Sequence, residues 1–332
     1  MKVTTAATKE SRKGAAALAG GRETAPRGAA ARPWLAEAEA ILREAKGLRV
    51  LRDVPLRTRT SLGIGGPAPL FVVPREPEGL AAALSRLTAA GVPFEYLGAG
   101  SNLLVADAGP SFVVVASEEL SGEPRIDEGT VRVGAGYPVP KLVKRVARSG
   151  LSGLEFAEGI PGSVGGCLRM NAGWHDGEFG QAVASFTAIA RQGVIEETAA
   201  GPAMFAYRKS PGLGDRFVAA VTLRLTPDDP DRVAARARGY HDRRVATQPT
   251  GARNAGCIFK NPAGDHAGRL IDVAGLKGLA VGRATVSEVH ANFIVNRGGA
   301  ACVDVLRLID AVREAVFTAS GVTLEQEVIL WT

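Results

Sequence analysis

The sequence predicts an α+β fold, and three observations carry the prediction. Strand-like and helix-like segments alternate in short lengths, apolar residues make up 46% of the 332 positions, and glycine, with 41 residues, is in excess without any G-x-y period. That apolar share suffices for a sizeable core, and at about 100–200 residues per domain the length allows two or three domains. A non-periodic glycine surplus marks tight turns and places where backbone approaches a ligand closely.

Apolar residues at Leu35, Ala38, Ile41, Leu42 and Ala45 recur at helical spacing and predict a first helix over 34–51. Strands are predicted at 69–73, 94–97, 111–115 and 130–133, with helices at 79–90 and 139–150 between them. Segments 183–190, 195–197 and 217–225 read as strands, and 232–244 as a strongly basic helix. After Gln248-Pro249-Thr250 come a glycine-rich segment, a helix at 267–274, a strand at 291–296, a helix at 303–320 and a closing strand at 328–331. This organisation divides into a tail at 1–33, a region at 34–229 and a C-terminal domain at 230–332.

The net charge of +6 resides mostly in the tail, where seven basic residues face two acidic ones. The body is therefore nearly neutral and, with 5% aromatics, lacks the basic stripe and stacking platforms of a nucleic-acid binder. The tail, rich in Ala, Gly, Thr and Arg, has too few large apolar groups to pack and reads as disordered. No run of about 18 apolar residues suggests membrane insertion, and no secretory h-region is present. Cys167, Cys257 and Cys302 form no CxxC pair, and the four histidines show no metal-ligand spacing, so neither a disulfide framework nor a metal is expected. A reducing cytoplasm is the expected location.

Two glycine loops carry the chemistry. The first, Gly98-Ala99-Gly100-Ser101-Asn102-Leu103, directly follows a predicted strand. Its small residues let backbone N–H groups turn toward an anion, with Ser101 and Asn102 adding side-chain donors. It has neither the GK[ST] of a P-loop nor the third glycine of a dinucleotide fingerprint, and alone it is equally compatible with a bare turn. The second runs Gly159-Ile160-Pro161-Gly162-Ser163-Val164-Gly165-Gly166 and leads to Asn171. It is rigid and poor in side chains, suited to wrap a pyrophosphate.

These loops fall in order with Thr60-Ser-Leu-Gly-Ile-Gly-Gly66, Tyr207-Arg208-Lys209-Ser210, Asn254-Ala-Gly-Cys-Ile-Phe-Lys-Asn-Pro262, Ala274-Gly-Leu-Lys-Gly278, the segment 286–296 and Leu324-Glu-Gln-Glu-Val328. From about Leu56 to the C-terminus this series resembles the UDP-N-acetylenolpyruvoylglucosamine reductase (MurB) family, in its shorter variety without an inserted tyrosine-bearing loop. The resemblance implies a two-subdomain FAD-binding fold of the vanillyl-alcohol-oxidase type plus a C-terminal α+β substrate domain. It implies non-covalent FAD, NADPH as hydride donor, and reduction of the enolpyruvyl ether of a UDP-sugar to UDP-N-acetylmuramate for peptidoglycan, carried out by a monomer. Another flavin enzyme of the same superfold, such as an alcohol or lactone oxidase, or a non-catalytic flavin or nucleotide-binding protein would share the glycine loops. Neither would have reason to keep N-A-G-C-x-F-K-N-P or L-E-x-E-V.

The resemblance also assigns roles. Arg208 would hold charge developing on the substrate carboxylate, Glu327 would work with it, and Cys257 would stand where relatives usually carry a proton-donating serine. A thiol, ordinarily near pKa 8.5, is a stronger acid than an alcohol and can protonate an enolate from that place. The two loops and Asn171 would hold the cofactor. Tyr207, Lys260, Asn261, His290 and Asn292 would bind substrate, and Ile329 replaces an arginine common in relatives.

Overall fold

The computed structural model describes residues 32–175 and 177–332, so the expected tail lies almost wholly outside the described residues. The chain opens with α1 (Leu35–Glu44), β1 (Leu48–Pro55), β2 (Pro67–Pro74), α2 (Pro77–Ala89), β3 (Phe94–Leu97), β4 (Leu103–Val105) and β5 (Val113–Ala116). Strands in the order β1-β2-β5-β3 form a mixed sheet, antiparallel at β1–β2 and parallel elsewhere. The first helix stops well short of 51. Gly47, at φ +71, turns the chain as few other residues could, and Leu48 onward enters the sheet opposite Pro74. Helices α1 and α2 bury Ala38, Ile41, Leu42, Leu80, Leu84 and Leu87 against this sheet.

Next come β6 (Arg125–Asp127), β7 (Thr130–Gly134), α3 (Val139–Arg148), the short α4 (Val164–Arg169), β8 (Val183–Ala190), β9 (Ile195–Ala199), β10 (Arg216–Arg224) and α5 (Pro230–Thr247). A second, antiparallel sheet runs β9-β8-β10-β7-β6. Its core gathers Val131, Val133, Leu142, Phe179, Phe186 and Val221, together with Ala237 of α5. The basic helix therefore packs on this core, although it lies beyond the boundary expected at 229/230. Helix α4 was not foreseen. Ser163 starts it by accepting from the Gly166 N–H at 3.3 Å, so the second glycine loop is half loop and half helix.

The last part holds β11 (Arg253–Cys257), α6 (Ala267–Val273), β12 (Ala280–Val281), β13 (Ala284–Val286), β14 (Phe293–Asn296), α7 (Cys302–Ser320) and β15 (Ile329–Trp331). A third sheet, ordered β11-β14-β13-β12, is covered by α7 through Val305, Leu308, Ile309, Val312 and Val316. Strand β15 leaves that sheet and pairs in parallel with β4, Ile329 opposite Leu103 and Trp331 opposite Val105. The chain's last strand thus returns to the first glycine loop.

Asp107, just beyond β4, accepts the Cys302 N–H on both carboxylate oxygens, at 2.9 and 3.0 Å, and so supplies an acceptor to the exposed donor end of α7. Asp107→Ala is expected to cost about 1 kcal/mol in urea unfolding; a stability equal to wild type would show that another group takes over the N–H.

Candidate active site

A cavity of about 700 Å³ lies among the first glycine loop, the second loop with α4, the end of α5, β11 and the segment entering β15. Its volume is in the range of sites that bury a large small-molecule ligand. Gly98 to Leu103 line it, as do Gly159, Ile160, Pro161, Ser163, Gly165 and Gly166. Gly162 does not reach the lining; a Cβ there would stand 3.0 Å from the Cys167 sulfur.

The first loop keeps its shape because two positions have no space for a side chain. A Cβ on Gly98 would fall 2.7 Å from Ser163 Oγ, and one on Gly100, at φ +64, would fall 2.0 Å from the Arg59 carbonyl oxygen. Among the described residues, no acceptor is present for the backbone N–H groups of Ala99, Gly100, Ser101 and Asn102, or for that of Ser163 on the facing loop. Orphan N–H groups in two facing loops suit a pyrophosphate, which brings acceptor oxygens and negative charge to both sides. The residues present therefore fit a dinucleotide-type cofactor such as FAD.

Arg208, Glu327 and Cys257 meet on the same cavity. Arg208 occupies the tight turn Ala206–Lys209, closed by N–H···O bonds in both directions at 2.9 and 3.1 Å. It sits at φ +58, a left-handed conformation costly for a residue with a Cβ. Ser210 Oγ anchors the turn by donating to the Leu168 carbonyl at 2.5 Å. The Arg208 Nε lies 3.1 Å from Glu327 Oε1, and its guanidinium stacks 4.9 Å from the Tyr207 ring centroid. Glu327 is held by its N–H donating to the Ile258 carbonyl at 2.7 Å, while Asn102 Nδ2 donates to its carbonyl at 3.2 Å. A first-loop side chain thus grips the backbone of an active-site carboxylate.

Burial raises the Glu327 carboxyl above its ordinary pKa, against the pull of Arg208 and Lys260. Burial first, then the Glu327 charge, pushes the Cys257 thiol up to about 12, although Arg208 and Arg244 favour its ionised form. The ordinary value assumed from sequence alone is thereby corrected: in this setting the sulfur stays protonated across the neutral range.

Several expected residues do other work. Asn171 is fully buried at φ +40; its Nδ2 donates to Glu178 and to the Ala206 carbonyl, and its Oδ1 accepts from Gly180. It fastens the Arg208 turn rather than facing the cavity. Asn292 uses both ends of its amide on the Phe259 backbone, and His290 Nδ1 accepts the Asn292 N–H while the ring packs on Phe293. Lys260 pairs with Glu325 at 2.5 Å, Asn261 Oδ1 accepts the Ala267 N–H at 3.1 Å, and Tyr207 is an exposed side chain whose hydroxyl accepts from Asn261 N–H at 3.4 Å. None of these six lines the cavity. Sequence reading missed Trp174 and Arg244, which do. A tryptophan and a basic helix carry no motif, and only the fold brings them together. Among the described residues no cluster of His, Cys, Asp and Glu is arranged to hold a metal, and no helix is long and apolar enough to cross a membrane.

Comparison with known proteins agrees with this geometry. Residues 68–199 match the FAD binding domain model, and residues 248–331 match the model of the UDP-N-acetylenolpyruvoylglucosamine reductase C-terminal domain. The chain is 46% identical over 284 residues to UDP-N-acetylenolpyruvoylglucosamine reductase 2 of Symbiobacterium thermophilum, covering 85% of this chain and 92% of the relative. It is 43% identical over 279 residues to the reductase of Geobacter metallireducens, covering 84% and 93%. The crystal structure of the reductase (MurB) from Thermus caldophilus superimposes with a TM-score of 0.73 at 40% identity, covering 86% of this chain and all of that one. With both halves of the cavity matched by family models and relatives aligned over more than four-fifths of its length, the chain belongs to the UDP-N-acetylenolpyruvoylglucosamine reductase family of FAD-dependent oxidoreductases.

Proposed function

We propose that this chain reduces the enolpyruvyl ether of UDP-N-acetylglucosamine to UDP-N-acetylmuramate, with Arg208, Glu327 and Cys257 as its reacting groups. The meeting of those three side chains on a cavity whose far side carries two loops of orphan N–H groups supports this reading. Ala99 to Asn102 and the Gly159–Gly166 loop would hold the pyrophosphate of FAD, which when bound would supply to the substrate the hydride taken from NADPH. Hydride arriving at the terminal carbon of the enol ether leaves negative charge on the neighbouring carbon and its carboxylate. Arg208 meets that charge with fixed donors, and Glu327 holds the Arg208 guanidinium in place. The Cys257 thiol then gives its proton to the carbon beside the carboxylate.

In this reading residues 34–229 form the cofactor region and 230–332 the substrate region, with α5 as the element they share. The protein works as a monomer in the cytoplasm, a compartment suited to free cysteines at 167, 257 and 302. Anaerobic mixing with NADPH should bleach the flavin, and adding the enolpyruvyl UDP-sugar should recolour it. Recolouring by oxygen but not by the UDP-sugar would sink the assignment. Deletion of residues 1–33 is expected to leave turnover unchanged, because every residue used here lies beyond them; a folded but inactive truncation would contradict that.

A further inference from the structure

Helix α5 brings to the cavity a cation whose hydrogen bonding the fold leaves incomplete. Arg244 is only 8% exposed. Its Nε donates to the Glu158 carbonyl at 3.2 Å, its Nη1 donates to Gln248 Oε1 at 3.0 Å, and the guanidinium lies 4.4 Å from the Trp174 ring centroid. The stem runs against Gly159, where a Cβ would stand 2.9 Å from Arg244 Cδ. With three sides fixed, the fourth is left over: Nη2 is buried and finds no acceptor among the described residues. A buried guanidinium N–H without a partner is destabilising, the more so as it is charged. The group nevertheless stays protonated at neutral pH, since burial brings its pKa down only to about 10. Its charge is felt by the Cys257 thiol and by Glu158, whose carboxylate lies 3.9 Å from His241.

Arg208 has its guanidinium already paired with Glu327. Arg244 has the Glu158 carboxylate within electrostatic reach, but its Nη2 donor is left without an acceptor among the described residues. We propose that Arg244 is an anion-holding residue of the active site, whose Nη2 donates to a planar, conjugated anionic acceptor presented near Cys257. This rests on the function proposed above. Two groups in that reaction share the required chemistry: the carboxylate of the enolpyruvyl ether, and the N1–C2=O edge of the reduced flavin.

The test uses purified flavin-containing Arg244→Gln and Arg244→Lys. Two measurements are made without turnover: the Kd of the enolpyruvyl UDP-sugar for oxidised enzyme, from flavin absorbance in the absence of NADPH, and the flavin midpoint potential without the sugar. If the carboxylate is the acceptor, Arg244→Gln should weaken Kd tenfold or more at unchanged potential. If the flavin edge is the acceptor, the potential should become more negative at unchanged Kd. Arg244→Lys, which keeps the charge and loses the planar fork, should lie between wild type and glutamine in whichever quantity moves. A glutamine variant that holds flavin with both quantities as in wild type would overturn the inference. If glutamine prevents flavin binding, the lysine variant decides, and its identity with wild type in both quantities would overturn the claim equally. A wild-type protein that neither bleaches with NADPH nor binds the UDP-sugar would instead refute the proposed function.

Discussion

Cys257→Ala should leave reduction of the bound flavin by NADPH nearly intact and slow the following step, reoxidation by the enolpyruvyl UDP-sugar, by on the order of 10²–10⁴, the usual contribution of a positioned acid. The split follows from where the thiol sits. It lines the cavity within electrostatic reach of Glu327, Arg208 and Arg244, and only the second half-reaction places a proton on carbon. Cys257→Ser should recover much of the loss, because oxygen occupies nearly the same space and its O–H, although a weaker acid than the thiol, can donate the proton from the same place. The pH dependence separates the structural reading from the simple sequence one. A thiol at its ordinary pKa would impose an alkaline limb near about 8.5. With the folded value pushed up to about 12, the proton-bearing form persists, and thiol ionisation should cause no fall in the second half-reaction up to about pH 9. The same upward shift leaves little of the sulfur as thiolate at pH 8, so iodoacetamide should react slowly despite the open cavity. Rapid alkylation or a limb near 8.5 would show that the sulfur is better solvated than its surroundings indicate. An alanine variant with wild-type turnover would remove it from the reaction.

How much of this was legible beforehand depended on whether the cause was local. The amphipathic spacing of 139–150 and the apolar runs at 94–97 and 183–190 needed no partner to be read, and α3, β3 and β8 follow them closely. Strand β4 is three residues long and pairs only with β15, more than two hundred positions away, so nothing local marked Leu103–Val105 as a strand. The glycine loops were legible as anion cradles because composition alone permits that geometry. That Ser163 would cap a helix inside the second loop was visible in principle from its residue type, but the four surrounding glycines argued against any helix. At the site, Arg208, Glu327 and Cys257 were found through motifs. Polar residues of the other motifs do different work: Asn171 and Asn292 satisfy buried backbone groups, a demand that only the folded chain creates. Arg244 was missed for the opposite reason, because in sequence it is one more charge on a basic helix.

The Arg208–Glu327 pair should show the largest departure from additivity. Arg208→Met removes the donors aimed at developing charge, for which a loss of about 10²–10³ in kcat is typical. It also removes the principal group opposing the raised pKa of Glu327, whose side chain is only 14% exposed. The carboxyl would then bind a proton more readily, since burial already favours its neutral form and Lys260, itself paired with Glu325, is the remaining cation in reach. Glu327→Gln acts from the other side. It frees the Arg208 guanidinium from its fixed orientation while leaving its charge, and should lower kcat by a similar factor. Each single change therefore undoes part of what the other residue does, and the double variant should lose little more than the worse single one. Losses that multiply, giving a double variant slower by about 10⁴–10⁶, would mean that the two side chains act independently on the substrate. The αL turn provides a further check, because the strain at φ +58 is tolerated only while the turn is anchored by Ser210 and Asn171. Ser210→Ala should accordingly reproduce a milder form of the Arg208→Met defect, in kcat rather than in flavin content. If it lowered flavin content and left kcat intact, Ser210 would be supporting the Leu168 helix and not the arginine.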